Sequence, residues 1–327
     1  MFEVLNAHSD ADKWRRYIDM LPYDLRDVHL TPEWGLLHED ASTLAHLAVL
    51  TDEAQGFIVC QPFLHRDMPG ERSHSDITAA GYGGPFTSST MPAPADGVAF
   101  DVAFAKWRRH QGVVSEFYLV NPVTYAHQAA LLPEPPTFEK QVTILPRVTV
   151  VAPNRGQSLW HFRKLSGSCR EITLAEAWGL YEPAMERLGA SARWRLSREY
   201  FERLGAVDHS VIGAFVGDAI VAMAVFIFGT ETAYYHLAAR AELAPSGAAD
   251  ECIIFGGLGA ARQWLHLGGG LKPGDTLEAY KRSFGGIQRP VYSIRRVHDP
   301  VAYERLAAGV DKGPAGFFPA YRAESAA

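Results

Sequence analysis

Three consecutive glycines, Gly268, Gly269 and Gly270, end a short apolar segment, and Lys281 follows them in the stretch AYKRSFGG. Glycine adopts positive φ angles and admits the close approach of a ligand or another backbone, and its exposed amides can face an anion. A lysine near such a turn offers the positive charge that stabilises an oxyanion. Taken alone, the glycines are more typical of a tight turn after a strand, and Lys281 is equally consistent with a solvated surface residue.

Further candidates flank this segment. His236, in the aromatic stretch AYYHL, could move a proton, although a histidine among strand aromatics is more often packed and hydrogen-bonded. One of Tyr234 and Tyr235 should face a cleft and the other the core, because neighbours on a strand alternate. Asp275 or Glu278 could steer a cationic amine, but Asp275 is better placed as the N-cap of a helix TLEAYKRS.

The first half of the chain offers residues for a second substrate. Tyr82, Gly83 and Gly84 lie in the segment GYGGP, where the glycines could admit a ligand. Glu116 could bind an amine, or be a charge on an edge strand. Arg195 could meet a phosphate or a carboxylate, or belong to a solvated helix face.

Two α+β units must position these residues. Each half predicts helices, an antiparallel meander, a crossover helix and a further strand. The composition changes near residue 152, so we predict one domain over 1–152, joined by the tail 305–327, and another over 153–304. Thr31 is a candidate N-cap, and the Gly/Ser/Thr-rich stretch 73–90 is predicted to be a loop.

Composition narrows the class of protein. The chain has 327 residues, is 47% hydrophobic and carries a net charge of −6, which argues against a broad nucleic-acid surface. A local basic cluster at 161–170 could still follow a tRNA acceptor stem. The three cysteines show no paired spacing, so neither a zinc site nor a disulfide framework is expected. Charged residues occur too early in the chain for a signal peptide. The apolar stretch 211–229 is better interpreted as a hairpin that turns at Asp218 than as a membrane span. A soluble cytoplasmic protein is therefore expected.

The order of these segments resembles the tandem acetyltransferase-like family that includes the Fem-type peptidoglycan aminoacyltransferases. The segments are an aromatic-histidine strand, a helix, a strand ending in glycines, and a motif of the form F/Y-K-x-x-F-G. The matching residues are Tyr234, Tyr235, His236 and Leu237, then Leu267, Gly268, Gly269 and Gly270, then Tyr280, Lys281, Phe284 and Gly285. The segments GYGGP, SEFYLVNP and FFPAYR are also similar to landmarks of that family.

The resemblance implies two domains with the fold of GCN5-related N-acetyltransferases (GNAT), each a mostly antiparallel sheet flanked by helices. It implies transfer of an aminoacyl group from tRNA to an amine of a cell-wall precursor or a small peptide, with the donor held by the C-terminal domain and the acceptor by the N-terminal one. Lys281 would then contact the oxyanion or the donor's terminal ribose-phosphate, and the backbone carbonyl of Tyr280 would receive a proton from the amine. The partners are the acceptor end of aminoacyl-tRNA and the amine, with neither metal nor bound cofactor.

Two alternatives remain open. Relatives that use acetyl-CoA carry Arg/Gln-x-x-Gly-x-Gly/Ala, whose amides hold the pyrophosphate at a helix N-terminus. Gly257 and Gly259 have that spacing, but Ile254 stands where Arg or Gln belongs, which counts against CoA without excluding an acyl-CoA-dependent N-acyltransferase. The other alternative is a binding protein that keeps the fold and has lost the reaction. The sequence does not fix the oligomeric state, the amino acid or the acceptor.

Overall fold

The computed structural model describes residues 1–68, 70–147, 153–259, 263–310 and 316–323. The chain divides into two compact units: unit 1 is Met1–Glu139 with Pro290–Ala327, and unit 2 is Lys140–Arg289. The boundaries between the units lie at residues 139/140 and 289/290, whereas the amino-acid sequence predicts them at 152/153 and 304/305. Each unit combines helices with a mostly antiparallel sheet, so the predicted α+β class is confirmed.

Unit 1 is built first along the chain. Its elements, in order, are β1 (Phe2–Asn6), α1 (Ala11–Asp19), α2 (Pro32–Leu37), β2 (Thr43–Asp52), β3 (Phe57–Met68), β4 (Glu71–Gly83), β5 (Phe86–Thr87), α3 (Pro94–His110), β6 (Val113–Val120) and α4 (Tyr125–Gln128).

Unit 2 follows, entered through a strand that starts in unit 1. Its elements are β7 (Thr137–Pro146), α5 (Pro153–Lys164), β8 (Ser168–Glu171), α6 (Leu174–Arg187), α7 (Arg198–Leu204), β9 (His209–Val216), β10 (Ala219–Phe228), β11 (Thr232–Arg240), α8 (Ala248–Cys252) with a π-helical continuation (Ile253–Leu258), β12 (Trp264–Gly268) and α9 (Thr276–Arg282). The chain then returns to unit 1 through β13 (Ile287–Val297) and α10 (Pro300–Ala307).

The two units share one strand topology. In unit 1 the strands lie in the order β1-β2-β3-β4-β6-β13, and in unit 2 in the order β7-β12-β11-β10-β9-β8. Each sheet contains a parallel pair, β4 with β6 and β11 with β12, in which one strand follows the other through a crossover helix, α3 or α8. A parallel pair requires such a crossover. In unit 2, the residues that follow β12 lead to the candidate site.

The apolar stretch 211–229 is a hairpin, as predicted. Strands β9 and β10 pair antiparallel around a turn in which Gly217 has a φ of +60°. In the part of the chain that the structure describes, no helix is long and apolar enough to cross a membrane.

The prediction of a loop over 73–90 is wrong for most of that stretch. Strand β4 continues to Gly83 between β3 and β6, and a register shift between Thr78 and Tyr82 accommodates Gly81 at a φ of +81°. The strand looks polar because the fully buried carboxylate of Asp76 accepts hydrogen bonds from the guanidinium groups of Arg66 (2.6 Å) and Arg322 (2.9 Å). Those partners satisfy a buried charge that composition alone reads as a loop residue.

Candidate active site

The glycines that end β12 are each required by the local backbone. Gly268 has a φ of +76°, a conformation that side-chain-bearing residues rarely adopt. A Cβ on Gly269 would lie 2.5 Å from the carbonyl oxygen of Gln141 on β7, and one on Gly270 would lie 2.1 Å from Oδ1 of Asp275. The three glycines therefore bring the turn against a neighbouring strand and against the start of α9.

Asp275 organises this turn and is the N-cap of α9, as predicted. Its Oδ1 accepts a hydrogen bond from the amide of Glu278 (2.7 Å), and its Oδ2 accepts from the amides of Leu271 (2.7 Å) and Lys272 (2.9 Å). Two amides that follow the glycines thus bind the protein's own carboxylate. The charge that this turn offers to a ligand comes instead from Lys281.

Lys281 is buried on α9, so its interpretation as a solvated surface residue is wrong. Only 9% of the residue is exposed, its Nζ donates a hydrogen bond to the carbonyl oxygen of Gly269 (2.8 Å), and the ammonium lies 5.9 Å from the ring centroid of Tyr235. Burial, with the like charge of Lys140 as a second cause, lowers the pKa of Lys281 to about 8 despite the opposing charge of Asp275. The side chain therefore changes charge near neutral pH.

Tyr280, which precedes this lysine, is held at both its polar ends. Its hydroxyl donates to Oδ1 of Asp250 (2.7 Å), and its backbone carbonyl accepts from the hydroxyl of Ser283 (2.6 Å) and from the Ser283 amide (3.2 Å). An amine that used this carbonyl as a proton acceptor would share it with Ser283. The catalytic role implied by the resemblance stays a prediction.

The aromatic strand β11 separates its three candidates. Tyr234 is buried and its ring centroid lies 5.2 Å from that of His266, whereas Tyr235 is half-buried beside Lys281 and Phe226. His236 is the extra residue of a β-bulge, because Tyr235 pairs with Phe226 and Leu237 pairs with Val225.

The bulge turns the His236 ring towards α7, where Nε2 lies 2.8 Å from the hydroxyl of Tyr200. The packed and hydrogen-bonded interpretation of His236 is therefore the one that its contacts favour. Arg195 lies after the 3₁₀ turn Ala192–Trp194, is exposed, and donates from Nε to the carbonyl oxygen of Ala190 (2.8 Å). Its role in substrate binding stays a prediction.

The crossover helix of unit 2 bears on the donor. Ile254 and Gly257 lie inside the π-helical segment, and Gly259 follows it, so none of them is at the helix N-terminus where a pyrophosphate would bind. A Cβ on Gly257 would lie 2.6 Å from Cδ2 of Leu265, so this glycine lets the helix pack closely on the sheet. Close packing therefore explains Gly257, whereas a Cβ on Gly259 would contact nothing within 4 Å.

The true start of this helix is covered by α5. Gly247 is the N-cap of α8, with a φ of +93°, and a Cβ there would lie 2.0 Å from the carbonyl oxygen of Ser158 on α5. The first turn carries two acidic residues that pair with α5: the carboxylate of Asp250 binds Arg155 (3.1 Å), and that of Glu251 binds Arg163 (2.7 Å). The position is both occupied and acidic, which disfavours an anion.

Part of the predicted basic cluster 161–170 is used within unit 2. Besides the Arg163–Glu251 pair, the Lys164 ammonium lies 4.9 Å from the Trp160 ring and the Arg170 guanidinium lies 4.0 Å from the Phe215 ring. These cations can still reach solvent, so a contact with tRNA stays a prediction.

In unit 1, the glycines after Tyr82 serve the fold. A Cβ on Gly83 would lie 2.5 Å from Cβ of Ala79, and one on Gly84, whose φ is +98°, would lie 2.8 Å from Cε2 of Tyr118. The space that these glycines leave is filled by Ala79 and Tyr118. Their predicted contact with a ligand stays a prediction.

Tyr82 itself lies at an aromatic cavity that the sequence did not reveal. The cavity is small, about 10 Å³, and is lined mostly by apolar and aromatic groups of unit 1: Trp14, His29, Thr31, Trp34, Gly35, Pro62, Phe63, Leu64, Ala80 and Tyr82. Nδ1 of His29 lies 2.5 Å from Oδ1 of the buried Asp27, and the His29 ring meets that of Tyr82 edge-on at 5.2 Å. The only sequence signal was the density of aromatic residues in HLTPEW.

Glu116 lies in a buried ionic network rather than on an edge strand, because β6 runs between β4 and β13. Its carboxylate accepts from Gln61 (2.9 Å) and Arg108 (2.9 Å) and lies 3.1 Å from Nε2 of His298. Burial opposes its ionisation, but the His298 hydrogen bond and the charges of Arg108 and Arg296 outweigh burial and lower the pKa of Glu116 to about 2. The carboxylate is thus 2% exposed and already paired, and its predicted contact with the acceptor amine is left without support.

Several solved structures have a fold similar to that of this chain. The chain is similar to FemX, at 10% identity over 93% of this chain and 99% of that one, with a TM-score of 0.68. It is similar to the C-terminal domain assigned to a lysylphosphatidylglycerol synthetase of Agrobacterium fabrum, at 12% identity over 90% and 94% of the two chains, with a TM-score of 0.56. It is also similar to a tandem GNAT protein of the clavulanic acid biosynthesis pathway, at 12% identity over 90% and 98%, with a TM-score of 0.53.

A scan against protein-family models and a search of curated proteins each found no match. The structural likeness extends over nine-tenths or more of this chain and so includes both units. The resemblance drawn from the sequence is therefore confirmed at the level of fold: the chain has a tandem GNAT fold, similar to that of FemX.

Proposed function

We propose that the protein is an N-aminoacyltransferase. It moves an aminoacyl group from aminoacyl-tRNA to an amine of a cell-wall precursor or a small peptide metabolite, in the cytoplasm, where charged tRNA is made. The observation that carries the proposal is the buried Lys281, held at the Gly269 carbonyl in a unit whose crossover helix has no open N-terminus for a CoA pyrophosphate. Neither a metal nor a bound cofactor takes part.

The reaction needs little covalent help from the protein, because an aminoacyl ester is already activated. The amine nitrogen attacks the ester carbonyl, the new C–N bond forms as the carbonyl becomes an oxyanion, and the bond to the ribose oxygen then breaks. The amine proton passes to that leaving oxygen. The Lys281 ammonium stabilises the oxyanion or the adjacent ribose-phosphate, and its burial strengthens this interaction because little water screens it.

The acceptor is assigned to unit 1. The cavity beside Tyr82 has apolar and aromatic walls and one polar pair, Asp27 with His29. Such a wall composition suits an acceptor with an apolar or ring-bearing portion that also offers a hydrogen-bonding group. Because the cavity is only about 10 Å³, such a group enters only if the aromatic side chains around it move apart. The predicted substrate residues Tyr82, Gly83 and Gly84 lie along this part of β4.

The second candidate is an acyl-CoA-dependent N-acyltransferase that modifies a sugar, polysaccharide or metabolite amine. It is favoured by the likeness to the tandem GNAT protein of the clavulanic acid pathway, whose structure was described in a form without AcCoA. In unit 1, however, the crossover helix α3 also carries an acidic residue in its first turn, where Asp96 accepts from the amide of Ala93 (3.0 Å). Both crossover helices therefore have carboxylates near the place where a pyrophosphate would bind.

Calorimetric titration with two donor analogues separates these functions. We expect a non-hydrolysable 3′-aminoacylamino-adenosine to bind the wild-type protein and the Lys281→Ala variant to bind it more weakly. Acetyl-CoA is expected to show no heat of binding at millimolar concentration. Saturable binding of acetyl-CoA, with none of the adenosine analogue, would establish the second candidate instead.

The pH dependence of transfer is a prediction that follows from the charge of Lys281. If the ammonium is the working form, kcat/KM should fall as the pH rises through about 8, the pKa of Lys281. Lys140 lowers that pKa, so Lys140→Met should raise it and move the falling limb to higher pH. The exposed Lys272, on the same turn, provides the control: Lys272→Met should leave the limb in place. A rate that rises through pH 8 would mean that Lys281 acts as a base.

A further inference from the structure

Behind Lys281, three helices of unit 2 meet at one buried carboxylate that the sequence did not single out. Asp250 on α8 is 4% exposed. Its Oδ1 accepts from the Tyr280 hydroxyl of α9 (2.7 Å), and Nη1 of Arg155 on α5 contacts Oδ1 (3.2 Å) and Oδ2 (3.1 Å). The Arg155 guanidinium also lies 5.1 Å from the Tyr280 ring centroid and 5.7 Å from that of Phe284.

These contacts form a single unit. A buried carboxylate is tolerated only when a cation or several hydrogen bonds compensate for its lost hydration, and Arg155 provides the cation. The hydrogen bond from Tyr280 ends on a carboxylate that also contacts this cation, so it is charge-assisted and directional. Burial and the neighbouring charge of Asp250 raise the pKa of the Tyr280 hydroxyl, so Tyr280 remains a proton donor throughout the working pH range.

The position of Tyr280 determines the direction in which the Lys281 side chain projects from α9. Consecutive residues of an α-helix point about 100° apart, so fixing Tyr280 on the α8 side directs Lys281 towards the glycine turn. There the fit is close, because Nζ donates to the Gly269 carbonyl and lies 3.2 Å from the place where a Cβ of Gly268 would stand. A small rotation of α9 would therefore break the Lys281 contact.

We propose that Asp250, held by Arg155, is a positioning residue that acts through the Tyr280 hydroxyl to present the Lys281 ammonium at the Gly269 carbonyl. The expected effect on catalysis rests on the proposed function, whereas the expected effect on the environment of Lys281 does not. Loss of the hydroxyl allows α9 to rotate, which hydrates Lys281 and misplaces its charge.

The test uses the full-length protein with Tyr280→Phe, which keeps the ring over which Arg155 lies and removes only the hydroxyl. Asp250→Asn is the second variant. The matched control is Glu251→Gln, which weakens the other ion pair between α5 and α8, Arg163 with Glu251, and touches neither Tyr280 nor Lys281. Labelling of Lys281 by an amine-reactive reagent, followed by peptide mass spectrometry across pH, reports its environment without any substrate. Transfer kinetics report its placement.

In Tyr280→Phe and Asp250→Asn we expect the labelling midpoint of Lys281 to rise from about 8 towards the ordinary lysine value. We also expect kcat/KM to fall about tenfold to a hundredfold with KM changed less than about twofold, as for a small misplacement of a catalytic group. Glu251→Gln should resemble the wild type in both.

Folded Tyr280→Phe protein with an unchanged labelling midpoint and unchanged kcat/KM would overturn the proposal. So would an equal loss in Glu251→Gln, because the effect would then belong to the docking of α5 as a whole. If the wild-type protein transfers nothing from any donor, the proposed function fails, and the labelling midpoints still decide whether Asp250 positions Lys281.

Discussion

Lys281→Ala is expected to lower kcat/KM for acyl transfer by a factor of about 10² to 10³, the cost of removing one preorganised group that stabilises an oxyanion. The loss should fall mainly on kcat, because the charge develops on the substrate only as the tetrahedral intermediate forms. Lys281→Arg should rescue little, since Nζ is buried and already lies 2.8 Å from the Gly269 carbonyl oxygen, where a larger head group would have to be displaced. Steady-state kinetics with a fixed amine acceptor measure both variants.

The control for this prediction is Lys272→Ala. Lys272 lies on the same turn, carries the same charge and is exposed, so its removal should change kcat/KM less than about twofold. If Lys281→Ala retained wild-type kcat/KM in a folded protein, Lys281 would have no catalytic role. The protein would then fit the third reading of its sequence, a binding protein that keeps the fold.

Glu116→Ala is expected to destabilise unit 1 by about 3 to 5 kcal/mol, because it leaves the buried Arg108 and the neighbouring Arg296 to share one carboxylate, that of Asp101, instead of two. The free energy of unfolding, from urea titrations followed by tryptophan fluorescence, measures the loss. Glu71→Ala removes an exposed pair with Arg305 and should leave the unfolding midpoint nearly unchanged. A stable Glu116→Ala protein with a raised KM for the amine would instead support the acceptor-binding role that the sequence suggested.

The same carboxylate makes the stability of unit 1 fall at acid pH. The pKa of Glu116 is lowered in the folded state from an ordinary value of 4.5 to about 2, so the unfolded chain binds its proton first as the pH falls. The stabilisation is therefore complete above the unfolded pKa and is lost between about pH 4.5 and 2. Glu116→Gln should remove this dependence, because an amide does not titrate.

Local chemistry explains why parts of the fold could be predicted. Thr31 accepts a hydrogen bond from the amide of Trp34, and Asp275 accepts from that of Glu278, so both predicted N-caps act through residues three positions away. The hairpin turn at Gly217 likewise depends on neighbours. Strand β4 was missed because its buried Asp76 is compensated by Arg322, 246 positions away in the sequence.

The candidate site shows the same division. Lys281 and the glycines were found because they lie close together in the chain and form a motif. The bulge at His236, the pairing of Asp250 with Arg155 across 95 positions, and the covering of Gly247 by α5 depend on long-range packing. Gly257 and Gly259 suggested a cofactor motif only because spacing does not reveal whether glycines begin a helix or lie within one.

Transfer of a radiolabelled aminoacyl group from tRNA to an amine tests directly whether the protein is an aminoacyltransferase. The purified protein would be offered pooled aminoacyl-tRNAs and, separately, acyl-CoAs, each with a mixed set of amine acceptors, with RNase treatment and Lys281→Ala as controls. We expect label to appear in an amide product only when aminoacyl-tRNA is the donor. RNase treatment and Lys281→Ala should each abolish this transfer. Transfer from acyl-CoA alone, insensitive to RNase, would contradict it.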